Sequence, residues 1–408
     1  MQKWKEDSET ENLIRYILLL WKTRKNNDSD SLITNNKNLY LEDVKLQAPR
    51  VIKNMDNALL NSSNTNIYST NTALYNIGEL NADSTIFDAS SYAIYAAAKK
   101  PMTISNSTIT CRATNNSSTG AVYINSSQSD INITGSTING YVYNNSSSTM
   151  TISGSTITKN TTQNNSERAV NNPGKMVLDN TSVALYIKDK STTYGYGISN
   201  DSTNSNLTIK GNTEIKLVDE SGHTISYGYG ILNSGTVVVE KADILTDLSY
   251  SNNQNTFGLY NSKGTVVFKT GSIRALGRVA YGIYINSGEV TLGIPEIVGS
   301  PTYGRDTADV SLTDPFVYGK GVTTGTQNAT GTGVKNIGGS FNYYDGKIMG
   351  STSAKPEIPT KIEYLYEAID YTDDETGHPY CILEWMREQP EDPDTTDQPD
   401  EPSNPDQP

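Results

Sequence analysis

Apolar residues recur along the chain in pairs five positions apart, separated by small polar residues. The pairs are Ile104 and Ile109, Ile133 and Ile138, Ile152 and Ile157, Leu178 and Val183, Val239 and Ile244, Phe268 and Ile273, and Leu292 and Ile297, with one extra residue between Ile209 and Ile215. Between them stand Ser-Asn-Ser-Thr, Thr-Gly-Ser-Thr, Ser-Gly-Ser-Thr or Lys-Thr-Gly-Ser. These residue types tolerate tight bends and bond to their own backbone, so each pair predicts two short strands meeting at a corner.

A second landmark precedes each corner: a small residue, an aliphatic one, then Asn two or three positions on. Examples are Gly197-Ile198 with Asn200, Gly230-Ile231 with Asn233, Gly258-Leu259 with Asn261 and Gly282-Ile283 with Asn286. Earlier copies carry alanine, at Ala73-Leu74, Ala93-Ile94, Ala121-Val122 and Ala169-Val170. Later copies then turn through Gly235, Gly264 and Gly288 into strands that alternate with period two, such as Thr236-Val237-Val238-Val239. Corner residues Ile86, Ile109, Ile138, Ile157, Val183, Ile215, Ile244, Ile273 and Ile297 are spaced by 19 to 32 residues. Three short strands per turn, a fixed corner and variable loops predict an all-β, right-handed parallel β-helix solenoid. Nine coils at roughly 4.8 Å each would make a rod about 43 Å long. For the recurring Asn residues two roles stand open, an internal ladder of side-chain amides or a surface turn.

Both ends of a solenoid need covering, because terminal coils expose unpaired strand edges. Residues 1–30 contain the apolar run Ile14 to Trp21, too short for a membrane span and without a basic flank, which predicts a short helix rather than a secretion signal. An upstream truncation is the alternative. The β-helix is expected over 31–350, from a first irregular coil at Asn38 to Leu46 to a closing coil at Tyr343 to Ile348. Residues 351–386 are expected to form a capping β-hairpin, with strands Lys361 to Tyr371 and His378 to Trp385. Residues 387–408, rich in Pro, Asp and Glu, form an extended acidic linker.

Composition changes this picture in two ways. Hydrophobic residues are only 35% of the 408 and charged residues 19%, which suits a thin repeated core rather than a thick globular one. Net charge is −13, so nucleic acid and membrane are not expected partners. Two cysteines, Cys111 and Cys381, and two histidines leave little for a disulfide framework, metal or acid-base chemistry, and no cofactor is expected.

The closing segment Phe341-Asn342-Tyr343-Tyr344-Asp345-Gly346-Lys347-Ile348-Met349-Gly350 resembles the closure of large secreted right-handed β-helix proteins of gut Firmicutes, in the pectate-lyase-like superfold. The resemblance spans about residues 38 to 350. It implies an extracellular or cell-surface location and an adhesin-like or structural role, and transfers no functional residues.

The same superfold hosts polysaccharide lyases and glycoside hydrolases, the alternative function. Such enzymes need clustered carboxylates. Here Asp130, Asp179, Glu214, Glu240 and Glu289 are scattered singly, and Asp219-Glu220 before Ser221-Gly222-His223 reads as a loop. Asp373, Asp374 and Glu375 fall in the hairpin turn. The chain is therefore expected not to be an enzyme. Tyrosine outnumbers phenylalanine 26 to 5, and Tyr194, Tyr196, Tyr227, Tyr229, Tyr260, Tyr281 and Tyr284 gather at one landmark of successive coils. Residues 194 to 284 are thus the expected binding face, for a glycan or host surface polymer. The competing reading is that these rings only stack on one another.

Overall fold

A computed structural model describes residues 30–113, 119–161, 165–188, 191–220, 223, 225–250, 255–294, 315–323, 328–354, 360–362 and 366–385. The expected N-terminal helix, the acidic linker and the corner residue Ile297 lie outside them. Among the described residues there are strands and turns and no helix.

The chain is a parallel β-helix. A representative coil has three strands: β1 (Asn206–Lys210), β2 (Thr213–Asp219) and β3 (Ile225–Asn233). The β1 equivalents of all coils form one sheet of thirteen strands, in strict chain order. The β2 and β3 equivalents form two further parallel ladders, and β2 pairs in register with Ser182–Ile187 on one side and Ala242–Asp247 on the other.

Register turns the sequence repeat into columns. On the β2 ladder one column runs Leu46, Ile67, Phe87, Ile109, Ile138, Ile157, Val183, Ile215, Ile244, Ile273, Val317, Ile348. Every one of these side chains is buried. Across the corner a second buried column includes Ile104, Ile133, Ile152, Leu178, Ile209, Val239, Phe268, Leu292 and Tyr343. The five-residue offset is the chain distance between these columns.

The twelve rungs that the first column has among the described residues correct the expected nine, and their eleven steps of roughly 4.8 Å make a stack about 53 Å long. Ile86 is not its member: it pairs with Thr108 and is half-buried, while Phe87 takes the core position. Val317 stands between Ile273 and Ile348. The coil at Ile67 escaped the apolar pattern because its partner across the corner is Ser62, and in the next coil the partner of Phe87 is only Ala82.

The corner geometry follows from backbone conformation. Asp43, Asn64, Ser84, Asn106, Gly135, Gly154, Asn180 and Gly211 occupy equivalent corner positions with φ between 47° and 67°. This is the left-handed region that Gly, Asn and Asp enter most cheaply. Next to them a file of buried hydroxyls crosses the rungs: Ser107, Ser136 and Ser155 accept from the backbone N–H of Thr85, Ser107 and Ser136, at 3.0 to 3.1 Å.

The recurring Asn residues form the internal ladder. Asn35 donates to Asn54 and Asn54 to Asn76, both at 2.7 Å. A second run passes from Asn144 through Asn172, Asn200 and Asn233 to Asn261 at 2.8 to 2.9 Å. Asn286 is not a member; it is exposed, and the register position belongs to Ile285.

At the C-terminal end, Thr360–Ile362 adds a parallel strand beside Phe341–Tyr343, so the start of the expected strand from Lys361 to Tyr371 belongs to the thirteen-strand sheet. The antiparallel pair is Tyr366–Thr372 with Pro379–Trp385, and the second of these lies antiparallel on Lys347–Gly350. Cys381 is buried there against the last coil.

Candidate functional site

The β3 ladder carries the seven tyrosines, and register sorts them into three files. Tyr194 pairs with Tyr227; Tyr196, Tyr229, Phe257 and Tyr281 follow one another; Tyr260 pairs with Tyr284. Between the files the β3 strand turns small residues inward, and Gly197, Gly230, Gly258 and Gly282 are buried. A Cβ on Gly230 would lie 2.5 Å from the Gly258 carbonyl oxygen. The in-register pairing of neighbouring strands, about 4.8 Å apart, sets the rings at stacking distance.

Ring centroids are 5.3 Å apart for Tyr194 and Tyr227, 4.9 Å for Tyr196 and Tyr229, 4.9 Å for Tyr229 and Phe257, and 5.4 Å for Phe257 and Tyr281, with interplanar angles of 10° to 17°. Tyr260 stacks on Tyr284 at 5.1 Å, and Phe257 meets Tyr260 edge to face. The files therefore cover most of each other's faces. What they offer outward is ring edges and hydroxyl groups, with Tyr194 the most open at 39%. Burial pushes the hydroxyl pKa of Tyr196, Tyr229 and Tyr260 up, which keeps them neutral donors and acceptors.

The stack has a cationic end. The Arg168 guanidinium lies 4.7 Å from the Tyr196 ring centroid, one coil before the first tyrosine of the file. Sequence reasoning missed Arg168 and Phe257. It also missed an earlier file on the same ladder, Tyr75, Tyr95, Tyr123 and Tyr143, stacked at 4.5 to 5.5 Å. Its signal was present: Tyr75, Tyr95 and Tyr123 each directly follow the small-aliphatic landmark.

The carboxylates do not converge. Asp179 pairs with Lys210 at 3.3 Å, Glu214 with Lys216 at 2.6 Å, and Glu289 accepts from Asn342 at 2.5 Å. Asp219 is buried while Glu220 is exposed, so this pair does not act on one ligand. Inside the solenoid Glu167 and Lys159, both buried, approach to 3.8 Å. Among the described residues no group of three metal-ligating side chains occurs. Cys111 and Cys381 are free thiols, and burial raises the pKa of Cys111, which leaves it a poor nucleophile.

Comparison with family models, with curated proteins and with solved structures returned no match for this chain.

Proposed function

We propose that this β-helix is a bacterial cell-surface module, adhesin-like and non-enzymatic, that holds an extended glycan or host surface polymer along its tyrosine-bearing lateral face. The observation that carries this reading is the register of Tyr194 with Tyr227 and of Tyr196, Tyr229, Phe257 and Tyr281 on consecutive coils. Rings stacked this way are fixed before any ligand arrives, so a polymer lying along the rod meets a preordered row of edges and hydroxyls at low entropic cost. The separate ion pairs and hydrogen bonds that occupy the acids favour a binding role over hydrolysis or elimination.

Replacing Tyr194, Tyr227 and Tyr284 with Ser tests the reading. The expected result is a folded rod that has lost binding to glycan arrays or host surfaces. Unchanged adhesion would remove the tyrosine face and leave a spacer, and release of unsaturated or reducing ends from a polysaccharide would favour the enzymatic alternative.

A further inference from the structure

We propose that a groove on the thirteen-strand sheet, near the N-terminal end of the rod, is a second binding site, which takes a neutral oligosaccharide. It rests on the reading of the rod as a glycan-binding module but uses a different sheet from the tyrosine files. The groove encloses about 370 Å³ across the outer face of four successive rungs, within the range of roughly 300–1,000 Å³ common to small-molecule sites.

Its shape follows from the sequence. The outward column that starts with Tyr40 continues as Asn61, Asn81 and Thr103, and the neighbouring one that starts with Glu42 continues as Ser63, Asp83 and Ser105. A bulky ring on the first rung followed by short side chains leaves a trough. The half-buried Tyr40 ring supplies an apolar wall for the C–H face of a pyranose.

The polar groups are those a sugar needs. Asn81 donates to the Asn61 carbonyl oxygen at 3.1 Å, which fixes both amides and directs the Asn61 nitrogen elsewhere. That nitrogen and the hydroxyls of Tyr40 and Thr103 have no protein partner among the described residues. Asp83 accepts from Ser105 at 2.6 Å and from Asn106 and Ser84 at 2.9 Å, and these bonds hold its carboxyl below the usual value. It is thus a fixed acceptor for sugar hydroxyls.

Charge selects within the class. Among the described residues Glu42 and Asp83 line the groove and neither Lys nor Arg does, which disfavours uronate, sulfate or phosphate groups. The four rungs, about 4.8 Å apart, give the trough a length suited to a short oligosaccharide.

Calorimetric titration of the full chain with cellohexaose, chitohexaose and an oligogalacturonate provides the test. At least one neutral hexasaccharide should bind while the oligogalacturonate does not. Tyr40→Ala with Asn81→Ala should weaken binding by about tenfold or more, and Ser63→Tyr, which fills the trough without deleting a proposed contact, should abolish it. Far-UV circular dichroism checks that both variants stay folded. The groove requires that a saccharide-binding event remain in Tyr194→Ser with Tyr227→Ser, whatever that variant does to the tyrosine face. Failure of both neutral sugars to bind, binding of the oligogalacturonate alone, or parental affinity in the groove variants overturns the groove. Loss confined to the tyrosine variant also overturns it and supports the tyrosine face instead.

Discussion

Asn200 donates its side-chain amide to Asn233 one coil further on, at 2.8 Å, and both residues are fully buried. Asn233 in turn donates to Asn261, at 2.9 Å, and its oxygen accepts from the Gly235 N–H at 3.1 Å. A buried amide left without its partners costs about 1–3 kcal/mol per group. Asn233→Leu strands a donor on Asn200 and an acceptor on Asn261, so it should destabilise by about 3 kcal/mol. Asn261→Ile strands a donor on Asn233 and withdraws a donor from three backbone carbonyls, but leaves no amide oxygen of the ladder unpaired, since Ile285 already follows it, and should cost less. Urea melts of the two variants check the order; equal losses would mean that the ladder contributes nothing as a ladder.

Gly230→Ala should destabilise although it creates no cavity. Its Cβ would meet the Gly258 carbonyl oxygen at 2.5 Å and Thr246 Oγ1 at 2.7 Å, and overpacking of this kind costs about 1–3 kcal/mol. The change should also spread the Tyr229 and Phe257 rings, which stack 4.9 Å apart. Thermal melting reads the first effect and near-UV circular dichroism the second.

Alkaline pH should loosen the tyrosine files. Burial raises the hydroxyl pKa of Tyr141, Tyr196 and Tyr229 above the ordinary 10.0. A group whose folded pKa is raised binds more protons folded than unfolded, so stability falls as pH rises past the unfolded value. The contribution is intact below pH 10 and lost progressively above it. Tyrosinate absorbance should lag behind that of free tyrosine until the rod unfolds; simple titration of all tyrosines at the ordinary value would contradict the burial.

Acid should act at the other end, on the hairpin. Lys347 lies 3.2 Å from Asp373 and its ammonium 3.9 Å from the Tyr380 ring centroid. Bonds from Thr376 and then Lys347 lower the Asp373 pKa below 3.8. A depressed carboxyl pKa contributes stability above the unfolded value and loses it as pH falls through the folded one. Asp373→Asn should make hydrogen exchange in 366–385 faster at neutral pH while the coils stay protected. At a pH well below 3.8 parent and variant should converge.

The corners and the β-helix were legible because one residue each decides them. An apolar side chain at Ile104 and another at Ile109 must both face the core, and only Asn, Asp, Ser or Gly sits easily in the bend between. Number and register were less legible. Ser62 and Ala82 occupy core positions in two successive early coils, so no pair of large apolar residues marks them. Val317 follows a long insertion that displaces the expected spacing. The tyrosine cluster was visible as composition, whereas its stacking was not: whether Tyr196 lies flat against Tyr229 or opens to solvent depends on register, which a sequence period that drifts from 19 to 32 residues does not fix. The groove had no apolar or charged motif at all, since it arises from short side chains beside Tyr40.

The asparagine ladder also gives the rod an electrical direction. In both runs, Asn35 to Asn76 and Asn144 to Asn261, each amide nitrogen points to the following coil and each oxygen to the preceding one. The side-chain dipoles add head to tail, with their positive ends toward the C-terminal coils, and each bond polarises the next. At the close of the longer run that positive end is absorbed by three backbone carbonyls, those of Gly264, Ser287 and Glu289. Turning one amide around would place like poles against each other on both sides, so the two orientations of the ladder are separate states with no intermediate. A molecule whose outer surface repeats from coil to coil is in this way polar along its length, and its two ends are not interchangeable even in the plainest stretch of the repeat.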